Sequence, residues 1–145
     1  MSAVTTKPSL TIKRHFKAAP AKVFAAWTDP KKIAGWFGPP GSKVNEAIFE
    51  TRAGGRFMIL ATAPSGEEFH VSGVVKEATI NQRVVYDWAW RGTPDRKSLV
   101  AVEFKPDGDG TLLTLTHEQF FDEAARDRHN QGWTAALDKL EKYLA

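Results

Sequence analysis

Leu10, Ile12, Arg14 and Phe16 alternate with Thr11, Lys13 and His15, the period-two pattern of a strand with one face turned inward. Two short helical patterns follow. Pro20 stands near the start of the first, where its missing N–H costs little, and Val23, Phe24 and Trp27 share one of its faces. Asp29 is placed to cap the second helix, with Pro30 at its first position. Ile33, Trp36 and Phe37 form the apolar stripe of that helix, and Gly38-Pro39-Pro40-Gly41 stops it. Six further strands are predicted at about 43–51, 55–62, 67–77, 83–91, 98–105 and 111–118. Turn signals such as Ala53-Gly54-Gly55, Pro64-Ser65-Gly66 and Asp107-Gly108-Asp109-Gly110 separate them. The chain closes with a helix from about Asp122 to Leu144, in which His129, Trp133, Leu137, Leu140 and Leu144 recur on one face. Gly132 lies inside that helix, where glycine costs up to about 1 kcal/mol, so close packing is expected around it.

Strands joined by short turns make an antiparallel sheet, and a sheet with one apolar face must cover it. The long C-terminal helix is the only element large enough. The reading is therefore an α+β fold with two short helices between the first two strands, covering an opening in a curved sheet. At 145 residues the chain suits one domain, read as residues 9–145 behind a flexible tail at 1–8. The absence of cysteine removes disulfides, thiol catalysis and thiolate metal sites, and suits the cytoplasm. No apolar run approaches a membrane span, and residues 1–8 lack the apolar core of a signal peptide. The net charge of +3 is uneven: residues 1–60 carry ten Lys/Arg against three Asp/Glu, whereas residues 61–145 carry ten against fourteen. A basic half can steer an acidic partner, but no basic cluster with interleaved aromatics marks a nucleic-acid site.

Taken with this element order, the local text resembles a known family. The residues concerned are Arg14, Ala19-Pro20, Val23-Phe24, Trp27-Thr28-Asp29-Pro30, Trp36-Phe37-Gly38-Pro39, Gly54-Gly55, 73–77 (Gly-Val-Val-Lys-Glu), 83–88 (Arg-Val-Val-Tyr-Asp-Trp), 111–117 and Gly132-Trp133. In that order, over about residues 9–145, they are similar to the family named after the activator of heat-shock protein 90 ATPase. That family belongs to the START and birch-pollen-allergen (SRPBCC) superfamily. The resemblance implies a helix-grip fold, a curved sheet of about seven strands wrapped around a long C-terminal helix. It also implies a cavity that takes a small hydrophobic molecule. Alternative implications are a chaperone-interacting module with a place in stress response, or an enzyme like the superfamily's cyclases and aromatases. The chain lacks the additional domain of the eukaryotic activator, which puts stimulation of chaperone ATP hydrolysis in doubt. A monomer or weak homodimer is expected.

The strand patterns supply candidate cavity walls. Val84, Tyr86, Trp88 and Trp90 share a face of one strand, and Val100, Val102 and Phe104 a face of another. Phe57 with Ile59, and Phe69 with Val71 and Gly73, extend the set. A filled core and a hollow closed by Trp36 and Phe37 are both compatible with this pattern; the family resemblance favours the hollow. An empty apolar void of ~300 Å3 would cost about 7 kcal/mol, so such a hollow should hold water or an apolar ligand. The candidate ligand-binding residues are Trp36, Phe37, Phe57, Ile59, Phe69, Val71, Tyr86, Trp88, Val102, Phe104 and Trp133. Trp27 is read as a core anchor, and Trp36-Phe37-Gly38-Pro39 as the edge of a pocket mouth. Arg14 shares strand parity with Ile12 and Phe16 and needs a carboxylate, for which Glu103 and Glu118 are candidates. His117-Glu118-Gln119-Phe120-Phe121 begins like a zinc-protease motif, but its fifth residue is Phe and it ends a strand. The four histidines show no metal-ligand spacing, so no metal, cofactor or catalytic residue is assigned. His117 and His129 are expected to meet near one end of the long helix as a packed pair.

Overall fold

The computed structural model describes residues 7–145. Most of the tail expected at 1–8 lies outside the described residues; Pro8, at its end, accepts a hydrogen bond from the Phe120 amide at 3.1 Å. The elements run β1 (Leu10–Phe16), α1 (Pro20–Thr28), α2 (Pro30–Ile33), β2 (Lys43–Phe49), β3 (Arg56–Thr62), β4 (Glu68–Thr79), β5 (Arg83–Trp90), β6 (Ser98–Asp107), β7 (Gly110–Glu118) and α3 (Glu123–Leu144). The seven strands form one antiparallel sheet in the order β1-β7-β6-β5-β4-β3-β2. The first strand therefore returns to pair with the last, and the two helices between β1 and β2 span the two edges of the sheet. Bulges at Val44/Glu46 and Val75/Glu77 bend and twist it. At Gly73 a side chain would strike the backbone of Asp87 on β5, so glycine there permits the close approach of β4 and β5.

α2 and α3 begin at side-chain caps, whereas α1 has none and opens on Pro20. The Asp122 carboxylate accepts from the Ala125 amide at 2.8 Å, and the Asp29 carboxylate from the Lys31 amide at 3.0 Å, each satisfying a donor that the first turn leaves free. The second helix is shorter than its apolar stripe predicts. After Ile33 the chain tightens into i→i−3 bonds, Gly35 N to Lys32 O and Trp36 N to Ile33 O. Gly38 then turns the chain at φ 94°, so Trp36 and Phe37 lie on a turn beyond α2.

α3 buries Trp133, Ala136, Leu137, Leu140 and Leu144 against the sheet. With Phe16, Trp27, Ile33, Trp36, Phe104, Leu113 and Leu115 these make one continuous core. Arg14 holds α3 to β1 by donating to the Asp138 carboxylate at 2.7 Å. Neither Glu103 nor Glu118 is its partner: Glu103 accepts from Arg83 at 3.0 Å, because β-strand parity turns it to the opposite face from the helix. Close packing at Gly132 is also corrected, since a side chain built there meets nothing within 4 Å.

Candidate functional site

The strict alternation of β5 turns Tyr86 and Trp88 inward and carries Trp90 to the strand's open end. Across from them, the 3.6-residue period of α3 brings His129, Gly132, Trp133 and Ala136 to one face. The turn after α2 supplies Phe37, Gly38 and Pro39, and the β3–β4 connection supplies Glu67, followed by Phe69 on β4. Together with Arg128, all of these residues except the more deeply buried Tyr86 line a cavity of about 420 Å3 between sheet, helix and turn. Its inner wall is the buried set Phe37, Trp88, Trp133 and Ala136. Phe69, Trp90 and His129 are half-buried, Gly132 is an exposed part of the α3 wall, and Pro39, Glu67 and Arg128 are exposed at the rim. The rings contact one another throughout: Trp88–Trp133 centroids lie 5.2 Å apart, Trp88–Trp90 5.5 Å and Phe37–Trp133 6.4 Å. Such geometry makes the wall broad and apolar.

The polar atoms of this wall are already engaged. An indole N–H only donates, which fixes the protons of both histidines. Trp133 Nε1 donates to His117 Nδ1 at 3.0 Å, so His117 carries its proton on Nε2. It gives that proton to Ser98 Oγ at 2.7 Å, and Ser98 donates onward to the Trp88 carbonyl at 3.3 Å. Trp90 and Trp88 both donate to His129 Nε2, at 2.8 and 3.3 Å. His129 Nδ1 therefore holds the proton and donates it to the Ala125 carbonyl at 2.7 Å. Burial, reinforced by His129 nearby, pushes the His117 pKa down to about 2. Burial likewise lowers that of His129, with Arg128 adding to the effect and the Ala125 bond opposing it. Both rings are neutral near pH 7 and act as acceptors for tryptophan. Their rings pack 5.2 Å apart, the expected meeting near the end of the helix.

The eleven candidate residues fall into three places. Phe37, Phe69, Trp88 and Trp133 line the cavity. Trp36, Phe57, Ile59 and Tyr86 surround an inner void of only about 10 Å3, at the limit of what holds one water. Val71, Val102 and Phe104 are buried in the core and line neither space. The interior between sheet and helix is thus largely filled, and the open volume is displaced toward one end of α3. Trp36 illustrates the shift: its indole donates to the Ala26 carbonyl at 2.9 Å, and it underlies the rim formed by Phe37–Pro39. Tyr86 accepts from Trp27 at 3.1 Å, and burial pushes its phenol pKa up.

Gly38 and Pro39, read from the sequence as part of the pocket mouth, and Trp90, read as a candidate wall, line the cavity as well; Glu67, Arg128, His129, Gly132 and Ala136, which the sequence reading did not assign to it, complete it. Trp90 and His129 carried a signal, being in phase with Trp88 and Trp133. Glu67 and Arg128 carried none. A neighbouring depression of about 520 Å3 lies beyond Phe69 and Trp90. It is bounded by the exposed residues Glu68, Arg91 and Gly92 and is a surface groove. Among the described residues, no group of three or more His, Asp or Glu is arranged to hold a metal, and no helix is long and apolar enough to cross a membrane.

Residues 17–145 match the family model described as Activator of Hsp90 ATPase homolog 1-like protein. The fold superposes on the AHSA1 protein of Silicibacter pomeroyi with a TM-score of 0.85 and 29% identity, covering 94% of this chain and 97% of that one. A Chromobacterium violaceum protein gives a TM-score of 0.85 at 23% identity over 94% and 96% of the two chains. The AHSA1-like protein of Aeromonas hydrophila gives 0.77 at 22% over 94% and 91%. No match is found among curated proteins.

Proposed function

The chain belongs to the Activator of Hsp90 ATPase homolog 1-like family, and from that premise we propose that it binds a small, largely hydrophobic molecule in the cavity between sheet and α3. The observation that carries this reading is an aromatic cavity of about 420 Å3 whose indole N–H groups are all spent on protein acceptors. That volume falls in the range of small-molecule sites, and an apolar wall with few polar groups is their usual character. Water inside such a wall finds few partners and is displaced favourably by an apolar ligand.

Three of the five tryptophans line the cavity, so emission is a built-in reporter. Titration with the uncharged fluorophore N-phenyl-1-naphthylamine is expected to give saturable quenching of tryptophan emission and enhanced probe emission. A linear response without saturation, repeated with probes of several sizes, would overturn the reading.

A further inference from the structure

We propose that Gly132 sets the shape of the molecule this cavity takes: an aromatic ligand whose buried rings lie flat against the α3 backbone at that position, with its polar substituents at the Glu67–Arg128 rim. The proposal rests on the binding reading above and narrows it.

Apart from proline, glycine is the least favourable residue for a helix interior, and the usual reasons for keeping one are missing at Gly132. Its backbone is not among those with positive φ. Its neighbours do not demand it either, since a Cβ placed there meets nothing within 4 Å. Elsewhere the reason is plain: at Gly35 a Cβ would strike the Tyr143 ring, and at Gly73 the Asp87 backbone. What glycine does at position 132 is leave the helix bare where the cavity wall passes between His129 and Ala136. The half-buried rings of Phe69 and Trp90 line the same cavity. A flat ring system laid against the bare backbone would gain offset or edge-on contacts with these rings.

The hydrogen bonds fix the ligand's orientation. The Trp88, Trp90 and Trp133 N–H groups are given to the two histidines, and His129 Nδ1 is given to Ala125. A hydroxyl or amide carried into this end loses its water and finds no free partner, which lowers affinity. Glu67 and Arg128 are exposed at the mouth and offer charge to whatever the ligand leaves outside.

The test compares anthracene-2-carboxylate, flat and anionic, with adamantane-1-carboxylate, globular with the same charged group. The wild-type chain is expected to bind the first at least about tenfold more tightly. Gly132→Leu is expected to weaken anthracene-2-carboxylate by more than about tenfold, and Gly132→Ala by about two- to fivefold while raising Tm. Gln131→Leu, at an exposed position beside the cavity, is expected to leave the affinity within about twofold. Unchanged affinity in a folded Gly132→Leu variant overturns the proposal. If that variant does not fold, unchanged affinity in Gly132→Ala overturns it instead. Equal binding of the two carboxylates by the wild type removes the flat-ring part. Saturable binding of N-phenyl-1-naphthylamine alongside any of these results leaves the general binding reading standing; its failure with every probe ends both.

Discussion

At the scale of single residues, the most consequential group is His117, a fully buried imidazole kept neutral by burial, its two ring nitrogens bonded to Trp133 and Ser98. Its folded pKa of about 2 lies below the ordinary 6.5. As pH falls, the unfolded chain therefore takes up the proton first, and stability is lost. The contribution is complete above about pH 6.5 and declines toward pH 2, by about 1.4 kcal/mol per pH unit for one histidine. His129, lowered in the same direction, adds to the slope. Urea unfolding is expected to show a clear loss of stability between pH 7 and pH 5, above the range where most carboxylates titrate. His117→Asn is expected to flatten that slope; a wild-type stability independent of pH in this window would contradict the assignment. Arg14 makes the opposite point. Its partner Asp138 is 64% exposed, so the pair orients α3 on β1 while contributing only about 0–1 kcal/mol. The need of Arg14 for a carboxylate was legible in the sequence. Which carboxylate was not, because β-strand parity placed Glu103 outward and only the docked helix brought Asp138 within reach.

Among the elements, the connection from α2 to β2 carries the cavity's outer edge. Lys139 on α3 donates to the carbonyls of Phe37, Gly38 and Pro39 at 3.4, 3.3 and 3.4 Å, and burial lowers its pKa. These bonds tie the rim to the helix that forms the opposite wall. Lys139→Met keeps the aliphatic stem and removes all three bonds. The amides of Gly38, Gly41 and Ser42 are then expected to exchange with deuterium faster, with probe affinity falling several-fold. Unchanged exchange in that variant would show that the rim is held by Phe37 packing alone. The elements themselves were readable from apolar period and turn chemistry, with strand ends mostly within two residues of those observed. The exception is α2, where the Ile33, Trp36 and Phe37 stripe was helical in spacing but Gly35 and Gly38 let the chain tighten and turn.

For the whole molecule, the sheet order joins β1 to β7 and places α1 and α2 between its edges. The interior is then divided into a filled part and an open part. Periodicity identified which residues face inward. It could not divide them, because the division depends on how large rings interdigitate. Trp27 stacks on Trp133 at 5.7 Å and tilts against Trp36 at 4.8 Å, which closes the centre. Gly132 and Ala136, being small, leave the end near Trp88 and Trp90 open. The family model and similar folds agree with the architecture, whereas the position of the open volume comes from these particular side chains.

That division is tested most directly by the five indole Nε1–H resonances in a two-dimensional nitrogen–proton NMR spectrum, followed during titration with N-phenyl-1-naphthylamine. Trp88, Trp90 and Trp133 are expected to show the large shifts, while Trp36, bonded to Ala26 beneath the rim, stays near its starting position. Large shifts centred on Trp27 and Trp36 with Trp88 and Trp90 unmoved, or no shifts at saturating probe, would contradict a ligand cavity at this end of α3.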